Sequence, residues 1–280
     1  MSFAVPFAPN GGPADGLPIW REAFVGIEAL LLHAAPVYYG LGVPQGDASG
    51  VIVIPGFLGT DAYLTEMYAW LHRLGYRPYF SGIGINAECP NLMIRSFLNA
   101  TMDRVRRETG RKFHIIGHSL GGMIAMAAGA QRPDDVASVI TLGSPFRGNV
   151  AHPNVLRVAE LVRSWIKARN GDAVLPDCYT GACPCAFVSS LTRDLPESVM
   201  MSAVYTRTDG IVDWRYCVTG DAARDFEAPG THVGLAFNPT AYGIIARRLA
   251  EAREFHAGRE RVRLAGASAC RNTVCRISGV

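Results

Sequence analysis

The sequence predicts an α/β fold with a doubly wound, mostly parallel sheet, and three observations predict it. Strand-like and helix-like stretches alternate four times between residues 51 and 145, the order that right-handed crossovers between parallel strands produce. Val51–Ile54 is apolar without interruption, as a central strand buried on both faces requires. Phe57, Ser119 and Ser144 each follow the end of a strand-like run. That places them at one sheet edge, beyond the carboxyl ends of the strands, where ligands bind in such folds.

Residues 1–16, rich in Pro, Gly and Ala, read as a loosely held arm. Leu17–Ala35 carries a helical pattern in which Trp20, Phe24, Ile27, Leu30 and Leu31 recur at three- and four-residue intervals, and Pro36 stops it. Val37–Gly50 is a turn-rich connector. Val51–Ile54 then runs into the glycine-rich turn Pro55–Asp61. Ala62–Leu74 is a helix with Tyr63, Met67, Trp70 and Leu74 on one side, ended by Gly75. Arg77–Ile85 is a weaker strand, and Asn91–Thr109 a helix with Leu92, Phe97, Leu98, Met102 and Val105 as its apolar face. The strand Phe113–Ile116 leads through Gly117-His118-Ser119-Leu120-Gly121 into the small residues of Met123–Gln131, and Pro133 closes that helix. Val136–Leu142 is the next strand, ending in Gly143-Ser144-Pro145.

Residues 147–200 break the rhythm and read as an insertion above the carboxyl edge. Asn154–Ala168 is helical, with Val155, Val158, Leu161, Val162, Trp165 and Ile166 as an apolar stripe that either caps the site or packs on the body. Alternation resumes with the strand Met201–Thr206, the turn Arg207–Gly210, a short strand at Asp225–Ala228, the loop Pro229–His232 and a final helix within Val233–Glu254. Without internal repeats or low-complexity segments, residues 1–280 are expected to form one domain carrying a cap at 147–200.

Composition narrows the function. With 280 residues, 49% of them hydrophobic, the chain buries a sizeable core. The net charge of +3 is modest and the arginines are scattered, so no nucleic-acid groove is expected. No apolar run reaches the roughly 20 residues of a membrane span. The N-terminus lacks a cationic start and an apolar core, so the expected location is cytoplasmic. Oligomeric state is not legible. The cysteine count of 7 is odd. Cys178, Cys183 and Cys185 cluster in CYTGACPC, with Cys89 and Cys217 elsewhere, and a local disulfide, free thiols and zinc are all open there. Cys270 and Cys275 either close a small loop or stay free.

The chemistry centres on Ser119. In a strand–turn–helix context G-x-S-x-G is a nucleophile elbow. The turn is so tight that the residues two before and two after the serine must be tiny, which Gly117 and Gly121 satisfy. A serine hydroxyl needs a base within hydrogen-bond reach and a third group to fix the imidazole tautomer. Of the histidines, His232 alone sits in a loop between the last strand and the last helix. Asp209 occupies a strand-end turn before it, with Asp213, Asp221 and Glu227 as rivals. The order Ser119, Asp209, His232 is that of the Ser…Asp…His hydrolases.

Together GHSLGG, VIPGFLGTD, LGSPFRG, TRTDGIVDW and GTHVGL resemble bacterial α/β-hydrolase lipases and esterases, over roughly residues 50–250 and in family order. The resemblance implies an α/β-hydrolase fold and ester hydrolysis through Ser119, Asp209 and His232, with the amides of Phe57 and Leu120 as the oxyanion hole. Leu58, His118 and Phe146 are then expected to meet a small-molecule or lipid ester, and no metal or organic cofactor is required. Thioesterases, amidases and acyltransferases share such a triad, and a non-catalytic binding module could keep the fold. One departure stands out: Pro55 occupies a position where related lipases often carry histidine, which alters the support behind the oxyanion loop.

Overall fold

The computed structural model describes the backbone of residues 11–277 and the side chains of residues 11–261. The elements in chain order are β1 (Gly12–Pro13), α1 (Val25–Ala34), β2 (Gly50–Ile54), α2 (Thr65–Arg73), β3 (Arg77–Phe80), α3 (Pro90–Met93), α4 (Asn99–Thr109), β4 (Phe113–His118), α5 (Leu120–Gln131), β5 (Val136–Leu142), β6 (Val150–Ala151), α6 (Pro153–Asn170), α7 (Ala186–Leu191), β7 (Met200–Tyr205), β8 (Asp225–Glu227) and α8 (Pro239–Ile277). A 3₁₀ turn, Ile19–Phe24, precedes α1.

The central sheet has six strands in the spatial order β3-β2-β4-β5-β7-β8, all parallel. β1 and β6 pair separately, in parallel. β2, β4 and β5 are buried along their whole length, as strands covered on both faces must be. One core lies between the sheet and the α3, α4, α5 and α7 side, around Ile52, Ile115 and Val139. The other lies beneath α2 and α8, around Val53, Trp70 and Tyr242.

Some expected elements differ in detail. The strand foreseen over 77–85 stops at Phe80 because the Asp61 carboxylate accepts the amides of Ser81 and Gly82, at 3.1 and 2.9 Å, and turns the chain. Within 233–254, a 3₁₀ turn at Val233–Phe237 comes first. Asn238 then accepts the amides of Thr240 and Ala241 (2.9 and 3.1 Å) and starts α8 at Pro239. Between α3 and α4 the helix makes a π turn at Ile94–Leu98. Its looser winding changes the phase of the apolar face. Met93, Ile94, Leu98, Met102 and Val105 are buried, whereas Phe97, expected on that face, is 48% exposed.

The N-terminal helix departs most from expectation. Trp20, Phe24, Ile27, Leu30 and Leu31 point outward, at 46–70% exposure, and its buried face carries Glu28 and Leu32. The stripe of α6 divides. Ile166 packs with Cys89 and Cys178, while Leu161 and Trp165 are exposed. Farther along, α7 joins the main core through Phe187 and Leu191.

Among the described residues no helix is long and apolar enough to cross a membrane. Cys89, Cys178, Cys183, Cys185 and Cys217 carry free thiols. The side chains of Cys270 and Cys275, like residues 1–10 of the arm, lie outside the described residues.

Candidate active site

Ser119 sits at the junction of β4 and α5 with φ +52° and ψ −124°, a backbone conformation that non-glycine residues rarely adopt. The surroundings impose it. A Cβ on Gly117 would overlap the Gly121 carbonyl, and one on Gly121 would overlap the carbonyls of Ile54 and Pro55. The same addition to Gly122 would overlap Ser144 Oγ. These glycines let α5 dock against the ends of β2 and β4, and the Ser119 amide bonds to the Leu142 carbonyl at 2.7 Å. Because the Gly121 contacts are with backbone that cannot step aside, Gly121→Ala is expected to cost about 1–3 kcal/mol. That should appear as a Tm lowered by several degrees in thermal unfolding, and an unchanged Tm would contradict the close approach.

His232 follows β8 in the loop before α8, its ring buried. Its Nδ1 lies 2.7 Å from Asp209 Oδ2. The other Asp209 oxygen accepts the amides of Ile211 and Val212, both at 2.8 Å, which fixes the carboxylate at the end of β7. A carboxylate can only accept from the neutral ring, so His232 carries its proton on Nδ1 and leaves Nε2 bare. Burial alone would push the imidazolium down. The charge of Asp209, its hydrogen bond and the charge of Glu22 outweigh that, and the His232 pKa lies above the ordinary histidine value. The rival acids are engaged elsewhere: Asp213 with Arg215 at 2.6 Å, Asp221 with Arg224 at 3.2 Å and Glu227 with Arg207 at 2.9 Å.

A Cβ on Gly143 would stand 3.1 Å from His232 Nδ1, so the ring lies over the turn that leaves β5, beside the carbonyl holding Ser119. Ser119 and His232 line one cavity of about 630 Å³, together with Phe57, Leu58, His118, Leu120 and Phe146. Asp209 stands behind the histidine, 2% exposed. Leu120 is the first residue of α5, so its amide is among those without an intrahelical acceptor. In the Pro55–Gly59 turn, the Leu58 amide bonds to the Asn86 carbonyl (2.9 Å) and the Gly59 amide to the Gly56 carbonyl (2.9 Å). Neither bond uses the Phe57 amide.

His118 has a second attachment. Its Nε2 donates to the His232 carbonyl at 2.9 Å, and burial together with the nearby His232 pushes its pKa down to about 3. It therefore stays neutral and braces the histidine loop while lining the cavity wall. Leu156 and Ala159 of α6 and Phe187 of α7 complete the apolar wall, and Cys89, Cys178, Cys183 and Cys185 add four thiols. The bond from Cys178 pulls the Cys89 thiol down to about 6, against desolvation and with help from the amides of Leu92 and Asn91. Among the described residues no group of three or more His, Cys, Asp or Glu is placed to hold a metal ion.

The strand order, the strained serine at the end of β4, and an acid and a histidine at later strand ends are accompanied by a match of residues 52–181 to the family profile described as the alpha/beta hydrolase fold. The chain has the alpha/beta hydrolase fold. A triacylglycerol lipase of Burkholderia plantarii is 30% identical to this chain over 133 residues, 44% of this chain and 37% of that one. A triacylglycerol lipase of Pseudarthrobacter phenanthrenivorans is 33% identical over 108 residues, 35% of this chain and 34% of that one. The matched stretches thus span just over a third of the length of these curated relatives. Among solved structures, one from the metagenome-derived lipolytic enzymes LipS and LipT superimposes with a TM-score of 0.51 at 18% identity, covering 76% of this chain and 96% of that one. At that identity the likeness is one of fold.

Sequence reasoning missed three supports of this site. Asn86 donates from Nδ2 to the Pro55 carbonyl at 2.8 Å and clamps the turn that Pro55 begins. Glu22 and Glu28 accept backbone amides of the histidine loop. No local pattern in the sequence marks any of the three, since each acts on backbone far from it along the chain.

Proposed function

We propose that this chain is a serine hydrolase that cleaves carboxylic esters with an apolar acyl group. The observation that carries this reading is the Asp209–His232 bond of 2.7 Å, with the histidine and the strained Ser119 in the wall of one largely apolar cavity. His232 Nε2 takes the Ser119 proton as Oγ attacks the ester carbonyl carbon. The amides of Phe57 and Leu120 hold the oxyanion, each such donor contributing about 3–4 kcal/mol to the transition state. The imidazolium returns the proton to the leaving alcohol, and the acyl group stays on Ser119. Water, deprotonated by the same imidazole, then attacks the acyl-enzyme and releases the acid, while Asp209 stays ionised and orients the ring.

In this reading residues 147–200 serve as a cap over a single catalytic domain, with α6 as its roof. Leu58 and Phe146 contact the acyl chain. The lipase names of the relatives support an ester substrate, and the apolar wall supports an acyl chain over a charged one. The test is turnover of p-nitrophenyl esters graded from acetate to palmitate. A kcat/KM that climbs with acyl length over the first several carbons is expected. Absence of turnover at every length, with Ser119 still labelled by a fluorophosphonate, would move the assignment to an acyltransferase or amidase.

A further inference from the structure

Three amides from two distant loops converge on one carboxylate. Glu22, in the 3₁₀ turn before α1, accepts at Oε1 from Gly210 N and His232 N, both at 3.0 Å, and at Oε2 from Val233 N at 2.9 Å. It thereby ties the turn that carries Asp209 to the loop that carries His232. Six residues further along, Glu28 accepts from Thr231 N at 2.8 Å and Thr231 Oγ1 at 2.6 Å.

The glycines around these residues are shaped to the same two side chains. A Cβ on Gly210 would lie 2.7 Å from the Pro18 carbonyl and 2.9 Å from Glu22 Oε1. Cβ atoms on Gly230 or Gly234 would overlap the Glu28 carboxylate. The TDG and GTHVG stretches are therefore open on the side where the N-terminal carboxylates enter. This also explains why the helix turns its apolar residues outward: its inner face is committed to polar backbone.

We propose that Glu22 is a positioning residue for the hydrolase reaction, holding Asp209 and His232 in register by clamping the backbones of both loops, with Glu28 as its companion on Thr231. The assignment rests on the ester-hydrolase reading above. Glu22 does not line the cavity, so it acts through His232 and not on the substrate. The groups facing His232 are Asp209 at its ring, Glu22 at its amide, Glu28 through Thr231, His118 at its carbonyl, and Tyr63, whose hydroxyl donates to the Val233 carbonyl at 2.7 Å. Of these, His118 is neutral across the working range and burial keeps Tyr63 protonated, which leaves Asp209 and Glu22 as the charges that raise the base.

The test compares Glu22→Ala, Glu22→Gln and Glu22→Asp in the full chain on a p-nitrophenyl ester, with active sites counted by fluorophosphonate labelling carried to completion. Since displacements near 1 Å cost about 10²-fold, Glu22→Ala is expected to lower kcat per active site about 10- to 100-fold with KM within twofold. Glu22→Gln keeps the length but loses the charge and turns an amide against one of the three N–H groups. It should lose less kcat, and its acidic limb should move to lower pH, because the imidazolium loses a stabilising anion. Glu22→Asp keeps the charge but shortens the reach, so kcat falls and the limb stays close to its wild-type position. If Glu22→Ala does not fold, Glu22→Gln carries the test alone.

Wild-type kcat per active site with an unmoved limb in Glu22→Gln would overturn the proposal, as would losses confined to KM. Either result leaves the hydrolase reading standing. A wild type that shows neither turnover nor Ser119-dependent labelling would overturn both, and that is seen before any Glu22 variant is made.

Discussion

Ser119→Ala is expected to lower kcat for ester hydrolysis by about 10⁶-fold and to abolish fluorophosphonate labelling. The fold should survive the change. The strained turn is imposed by backbone packing at Gly117 and Gly121 and by the bond from the Ser119 amide to Leu142, none of which involves the hydroxyl. Thermal unfolding of the variant should therefore stay close to wild type, so that lost activity reports lost chemistry. Labelling that persists in the alanine variant would place the nucleophile elsewhere in the chain.

Asp209→Asn is expected to lower kcat by about 10⁴-fold, and the geometry says why. Oδ1 of Asp209 already accepts two amides, from Ile211 and Val212. An asparagine must keep its oxygen there, because its NH₂ group would oppose both donors. The NH₂ then faces His232 Nδ1, which has to become the acceptor, and the ring proton moves to Nε2. In the proposed mechanism, an imidazole protonated on Nε2 cannot take the hydroxyl proton. Asp213→Asn should cost less than about threefold, since Asp213 holds Arg215, whose side chain is 58% exposed, and does not touch the histidine. Steady-state kinetics on both variants decides the matter, and the reverse ranking would reassign the acid.

What could be read from the chain in advance follows from the range of each constraint. The elbow was legible because its demands are steric and local, so Gly117, Gly121 and Gly122 report them within a few residues. Val136–Leu142 has the strand bounds that its composition suggested, and the contact of Asp209 with His232 joins residues placed from strand ends and chain order alone. The N-terminal helix was misread because periodicity records which face is apolar, not what that face meets. Trp20 to Leu31 have the spacing of a core face, yet the helix docks on a loop whose needs are unpaired amides, and carboxylates meet them. Glu22 lies 188 to 211 residues from the groups it binds, a distance at which no single-chain pattern signals partnership. The role of Asn86 was hidden similarly. Pro55 showed that something else must steady its turn, without showing what.

The looser turn at Ile94–Leu98 has a geometric consequence for the pocket. Ordinary α-helical winding rotates the chain by about 100° per residue, so one surplus residue there redirects everything upstream. Met102 and Val105 on one side of the turn are buried in the core, and Cys89 and Pro90 on the other form part of the cavity wall. The bore of the pocket on that side is thus governed by a count of residues along a helix. Dropping one residue from the turn would reshape the bore while leaving every side chain that lines it chemically the same.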